Sequence, residues 1–135
     1  DLYRHAGRQA GHSASDLRMS LSTHLYMDEN SQDALNEFYP RYAGYFLSHT
    51  PSQYRAVEIT RAEYDMRASP HGALFVGSPQ QIIDKIMYQR ELFGHQRFLA
   101  QIDIGGLPFA NVARVIELLA TKVAPIVRQS QPSTE

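Results

Sequence analysis

The sequence predicts an α/β fold: two parallel strands with helices, forming the C-terminal portion of a TIM-type (β/α)8 barrel. Three observations predict it. Two strand-like runs, in LRMSLSTHLYM (Leu17 to Met27) and RFLAQIDI (Arg97 to Ile104), are separated by helical stretches, which implies parallel pairing through right-handed crossovers. Both runs alternate. In the second, Phe98, Ala100, Ile102 and Ile104 form an apolar parity suited to helices, while Leu99, Gln101 and Asp103 form a parity that turns polar toward the strand's end. Barrel strands alternate in this way between outer helices and an inner lumen, whereas strands of an open doubly wound sheet read as continuous apolar runs. Finally, two strands leave edges and faces uncovered, and a complete barrel takes about 250 residues. The 135 residues are therefore expected to form a single partial domain, 1–135, that closes a larger ring.

The elements follow in order. Leu2, Tyr3 and Ala6 share a helical face, and Gly11 is a left-handed terminator. SASD (Ser13 to Asp16) is a polar turn into the first strand. There Met19, Leu21, Leu25 and Met27 share one parity with Thr23, and Ser20, Ser22, His24 and Tyr26 form the other. Asn30 and Ser31 cap a helix carrying Leu35, Phe38, Tyr42, Tyr45 and Phe46, which Pro40 is expected to kink or split. SHTPSQYRAVEI reads as a connection. TRAE (Thr60 to Glu63) is a capping box opening a short helix that ASPHG ends. GSPQQIIDKIMYQRELFG has Ser78 as N-cap, Pro79 at the first position, Gln81 for the reciprocal cap and Gly94 as terminator. The last helix begins near Phe109, with Val112, Val115, Ile116, Leu119, Val123 and Ile126 as its apolar stripe and a bend at Pro125. The tail from 129 to 135 is polar and expected to fray.

Composition narrows the function classes. A net charge of −1 with 20% charged residues gives no basic stripe for nucleic acid or an anionic membrane. The absence of cysteine rules out disulfides, thiolate metal sites and cysteine nucleophiles. None of the six histidines forms an i, i+4 helical pair, so no metal site is expected. There is no bilayer-length apolar run and no signal-peptide pattern, so a cytoplasmic location is expected. Uncovered edges and stripes predict a homo-oligomer.

VGSPQQIIDKI, then GHQRFLAQIDIGGLP, then VARVIELLATKVAPIVR resembles the C-terminal part of the luciferase-like flavin-dependent monooxygenases. AGRQAGHSASDLRMSLSTHLYMDENSQDALNEFYPRYAGYF resembles that family's late strand and the helix after it, with its F-Y-P element. The resemblance covers nearly the whole chain. It implies a barrel that binds reduced FMN or the deazaflavin F420 at its C-terminal face and acts on a small organic substrate. FMN members activate dioxygen and F420 members transfer hydride. It also implies that most flavin contacts lie on strands absent here, so this chain alone is expected to bind flavin weakly and to be inactive.

Several residues carry two readings. His24, near a strand end on the polar parity, lines a substrate or flavin pocket, or is a hydrogen-bonded or partly exposed histidine. Gln101 and Asp103 face the same pocket, although an aspartate there also caps the following turn. Gly105 and Gly106 let backbone approach a ligand, or simply form a tight corner before Pro108, the reading we favour. The helix start at Gly77, Ser78 and Pro79 is a phosphate seat or an ordinary capped terminus. Phe38, Tyr39, Tyr42, Tyr45, Phe46 and Tyr54 form a lid, a subunit contact or ordinary packing. The alternative function is a noncatalytic α/β oligomerisation or interaction module.

Overall fold

The computed structural model describes residues 2–49, 51, 53 and 58–130; Tyr54 and the tail from 131 to 135 lie outside the described residues. Its elements are α1 (Leu2–Gln9), β1 (Ser20–Met27), α2 (Ser31–His49), α3 (Arg61–Ala68), β2 (Phe75–Gly77), α4 (Pro79–Phe93), β3 (Arg97–Gln101), α5 (Phe109–Leu118), a π-helical turn (Leu119–Val123) and α6 (Ala124–Gln129). The α/β class and the parallel pairing are as expected. Phe75–Gly77 adds a third strand to the two read from the sequence.

The sheet order is β2-β1-β3, so β1 is central. Leu25, Tyr26 and Met27 pair with Phe75, Val76 and Gly77, and Ser20 through His24 pair with Arg97 through Gln101. Partners in a parallel ladder point to the same face. Leu21, Leu25, Phe75 and Phe98 therefore share one face, where Phe75 meets Phe98 with ring centroids 5.0 Å apart and α4 brings the Lys85 ammonium over Phe75. The other face holds His24, Tyr26 and Gln101, and α2 packs there, with Phe38 stacked on Tyr26 at 5.2 Å. The chain runs from β1 to β2 and then back across β1 to β3. Crossovers of one hand running in opposite directions place their helices on opposite faces, and so the described strands form an open sheet with α2 on one face and α4 on the other.

This arrangement explains the burial pattern. The lower half of β1 and all of β3 alternate because only one face is covered there, as expected for Phe98, Ala100 and Ile102 against Leu99 and Gln101. At the upper end Leu25, Tyr26 and Met27 are all buried. Of the polar parity of β1, His24 and Tyr26 thus meet α2, whereas Ser20 and Ser22 stay exposed. The core continues through Phe38, Tyr42, Tyr64, Phe75, Ile82, Val115 and Val123.

Local signals act as the sequence dictates. Both capping boxes form, Thr60 with Glu63 and Ser78 with Gln81, and Gly94 terminates α4 in the left-handed region. Asn30 caps α2 through Oδ1, which accepts from the backbone N–H of Gln32 and Asp33. Pro40 does not split α2, which is continuous from Ser31 to His49. Pro125 is accommodated by the π-helical turn just before it, in the first turn of α6. The apolar stripe of the last helix is rotated from the expected one: Val115, Leu118 and Val123 are buried, whereas Ile116 and Ile126 are exposed. Among the described residues no helix is long and apolar enough to cross a membrane.

Candidate functional site

His24 stands in register with Gln101, so the two side chains project from adjacent strands on the same face. Tyr42 and Tyr45, one turn apart on α2, approach the imidazole edge-on at 5.9 and 5.1 Å. A cavity of about 270 Å³ opens beside them, lined by Ser22, Thr23, His24, Tyr42, Arg67, Ala73, Leu74 and Gln101. His24 Nδ1 is buried with no hydrogen-bond partner among the described residues. Burial also holds the imidazole below its ordinary pKa, so the ring is neutral at neutral pH and offers one donor and one acceptor. The arrangement is an aromatic-backed wall with an imidazole and an amide in register, and with Arg67, whose guanidinium lies over the Phe46 ring, in its lining, suited to binding and orienting a small polar molecule.

Of the five residues singled out in the sequence, the structure brings His24 and Gln101 together. Asp103 follows the turn reading: its Oδ1 accepts the Gly105 N–H at 2.8 Å. Gly105 and Gly106, with φ of +94° and +78°, form the corner leading to α5, and neither they nor Asp103 line the His24 cavity. At the α4 terminus, Ser78 N–H donates to Gln81 Oε1 and Gln81 N–H to Ser78 Oγ, so the capping box itself uses these two amides.

Arg67 and the turn residues Ala73 and Leu74 were not legible as pocket walls, because they reach His24 only through the fold. Tyr42 and Tyr45 carried a signal, their helical spacing within the aromatic set. Beyond the turn from residue 67 to 74 lies a larger cavity of about 520 Å³ between α2, α3 and α4, with Lys85 in its wall. Above β1, α5 is tied down by Asn111, which donates to Tyr26 Oη and Glu37, and by Arg114 beside Asp28 and Glu29.

A parallel α/β sheet with an aromatic-backed polar wall is a scaffold of the kind that carries small-molecule sites, and comparison with known proteins gives the family. Residues 1–96 match the luciferase-like monooxygenase family, and the chain belongs to it. Among solved structures, the monooxygenase RslO1 from Streptomyces bottropensis is similar, with a TM-score of 0.70 at 24% identity over 93% of this chain. This chain spans 36% of that one. No curated protein matches the sequence.

The His24 cavity does not by itself enclose a flavin. The His24 cavity, at about 270 Å³, falls below the range of roughly 300–1,000 Å³ typical of sites that bury a drug-sized ligand. Asp103 and the Gly105 amide satisfy each other, so the glycine corner does not present that amide to a ligand.

Proposed function

We propose that this chain forms the closing part of a luciferase-like flavin-dependent monooxygenase or oxidoreductase, using reduced FMN or F420 on a small organic substrate. Within it, His24, Gln101 and Tyr42 supply one wall of the substrate site. The observation that carries the reading is the His24 imidazole, whose Nδ1 has no hydrogen-bond partner among the described residues, in register with Gln101 over a cavity, within a chain of this family. The cofactor, when bound, supplies the oxygen-activating or hydride-donating chemistry. The residues of this chain bind and orient: the imidazole and the Gln101 amide exchange hydrogen bonds with a polar substrate group, and the tyrosines exclude water behind it.

A fluorescence titration with FMN and with F420 tests the division of labour. Weak binding by these 135 residues is expected, with saturable binding by a longer chain that contains them. Tight, stoichiometric flavin binding by the 135 residues alone would overturn it.

A second reading, self-association through an interaction surface, is favoured by one feature. Leu99 is 46% exposed on β3, one of the two edge strands among the described residues. An apolar edge of this kind takes a partner strand or a second copy. Sedimentation equilibrium is expected to show a dimer or larger species, and a monomer at every concentration would refute it.

A further inference from the structure

The two cavities share a wall. Ala68, Ser69, Pro70 and His71 face the larger one, whereas Arg67, Ala73 and Leu74 face the one beside His24. The wall is a tight turn closed by Gly72 N–H to Ser69 O and Leu74 N–H to Arg67 O, both at 2.9 Å. It is braced from both sides. From the sheet, Thr23 Oγ1 donates to Ala73 O at 2.8 Å. From α4, Lys85 Nζ donates to Leu74 O and Ser69 O at 2.6 Å each and to Ala68 O at 3.3 Å.

The three acceptors of Lys85 come from both ends of the turn, so one ammonium ties the end of α3 to the start of β2. Lys85 is only 5% exposed. None of the ion pairs among the described residues includes it, and its three donors are met by neutral carbonyls. Such a group does not serve as a surface charge; its geometry is that of a brace.

We propose that Lys85 is a positioning residue for the His24 site: it fixes the shared wall, and loosening its bonds to Ala68, Ser69 and Leu74 reshapes the cavity in which His24 and Gln101 stand. The proposal rests on reading that cavity as a substrate wall. An ammonium has three hydrogens for three carbonyls, whereas a neutral amine has two. Loss of one proton therefore forces one carbonyl to be released, and the longest bond, to Ala68 O, is the first to go. Burial lowers the pKa of Lys85 to about 8, so the change falls in an accessible range. The other ionisable groups facing this cavity are Arg61 and Asp65 from α3, His71 from the turn, and Asp84 and Tyr88 from α4.

The test is a pH series of heteronuclear NMR spectra on the 135-residue chain, without flavin or substrate, from about pH 7 to about pH 10. The amides of Ala73 and Leu74 and the His24 ring are expected to shift together with a midpoint of about 8. In Lys85→Met that common step is expected to vanish while the slower spectral features of the fold remain. In Lys85→Arg, whose guanidinium stays charged throughout, it is also expected to vanish. No common step in the unmodified chain, or its persistence in either variant, would overturn the proposal. The unmodified chain decides the matter even if a variant does not fold. Because no flavin is present, failure of flavin binding in a longer chain leaves this result untouched.

Discussion

Gly72→Ala is expected to destabilise the chain severely, although glycine-to-alanine changes often stabilise. A methyl group built on Gly72 overlaps the Arg67 carbonyl oxygen, stands 2.6 Å from the carbonyl carbon and lies 2.7 Å from the Met66 oxygen. All three are backbone atoms, so no rotamer change relieves the clash. The turn itself has to open. Opening costs the Gly72 to Ser69 and Leu74 to Arg67 hydrogen bonds and disturbs the Lys85 bond to Leu74. At about 1 kcal/mol net for each of the three, the loss is about 3 kcal/mol. Reduced freedom of the unfolded chain returns about 0.4–1 kcal/mol, leaving about 2–2.5 kcal/mol against a total stability of about 5–15 kcal/mol. For a domain of this size that lowers Tm by about 10 °C. Urea and thermal unfolding followed by circular dichroism measure it. Gly44→Ala is the control: no atom lies within 4 Å of its added methyl, and its place inside α2 predicts stabilisation by about 0.5–1 kcal/mol. Equal stability of Gly72→Ala and the parent would refute the reasoning.

Phe38→Ala removes a fully buried ring stacked on Tyr26, and equilibrium unfolding is expected to show a loss of about 3–5 kcal/mol. Stability should also respond to Lys85. Its folded pKa of about 8 lies below the ordinary 10.5, so between these values the unfolded chain binds more protons and the contribution of this group to stability rises with pH. Urea midpoints measured across that window should rise in the parent relative to Lys85→Met. Pro125→Ala restores a backbone donor in the last helix and is expected to increase helical ellipticity as the π-helical turn narrows; unchanged ellipticity would count against the proline as its cause.

The sequence revealed what depends on neighbouring residues. Capping boxes, the Gly94 terminator and the alternation of Phe98 to Gln101 each arise within a few positions. β2 escaped because Leu74, Phe75, Val76 and Gly77 are all buried, which leaves no alternation to detect in three paired residues. Lys85 gave no signal in the sequence, because its three carbonyl partners lie 11 to 17 residues upstream and reach it only once α3 and the turn are packed. The place of His24 on the less apolar face of β1 followed from its parity on the strand. Its aromatic backing did not, since which face α2 covers depends on the direction of a crossover that local pattern does not encode.

The central position of β1 also imposes an order on biogenesis. Of the three described strands β1 is made first and completed last: Thr23 waits 50 residues for Ala73, and Met19 waits 77 for Gln96. Closing loops this long before either ladder forms slows folding, and the edges that β2 and β3 cover stay open meanwhile. During synthesis, at about 5–20 residues per second, β1 is exposed for several seconds to other nascent chains. β3 then acts as a keystone set late. A chain halted before Arg97 would lose the partner of Ser20 to His24, and its characteristic failure would be aggregation through β1, far in sequence from the missing residues.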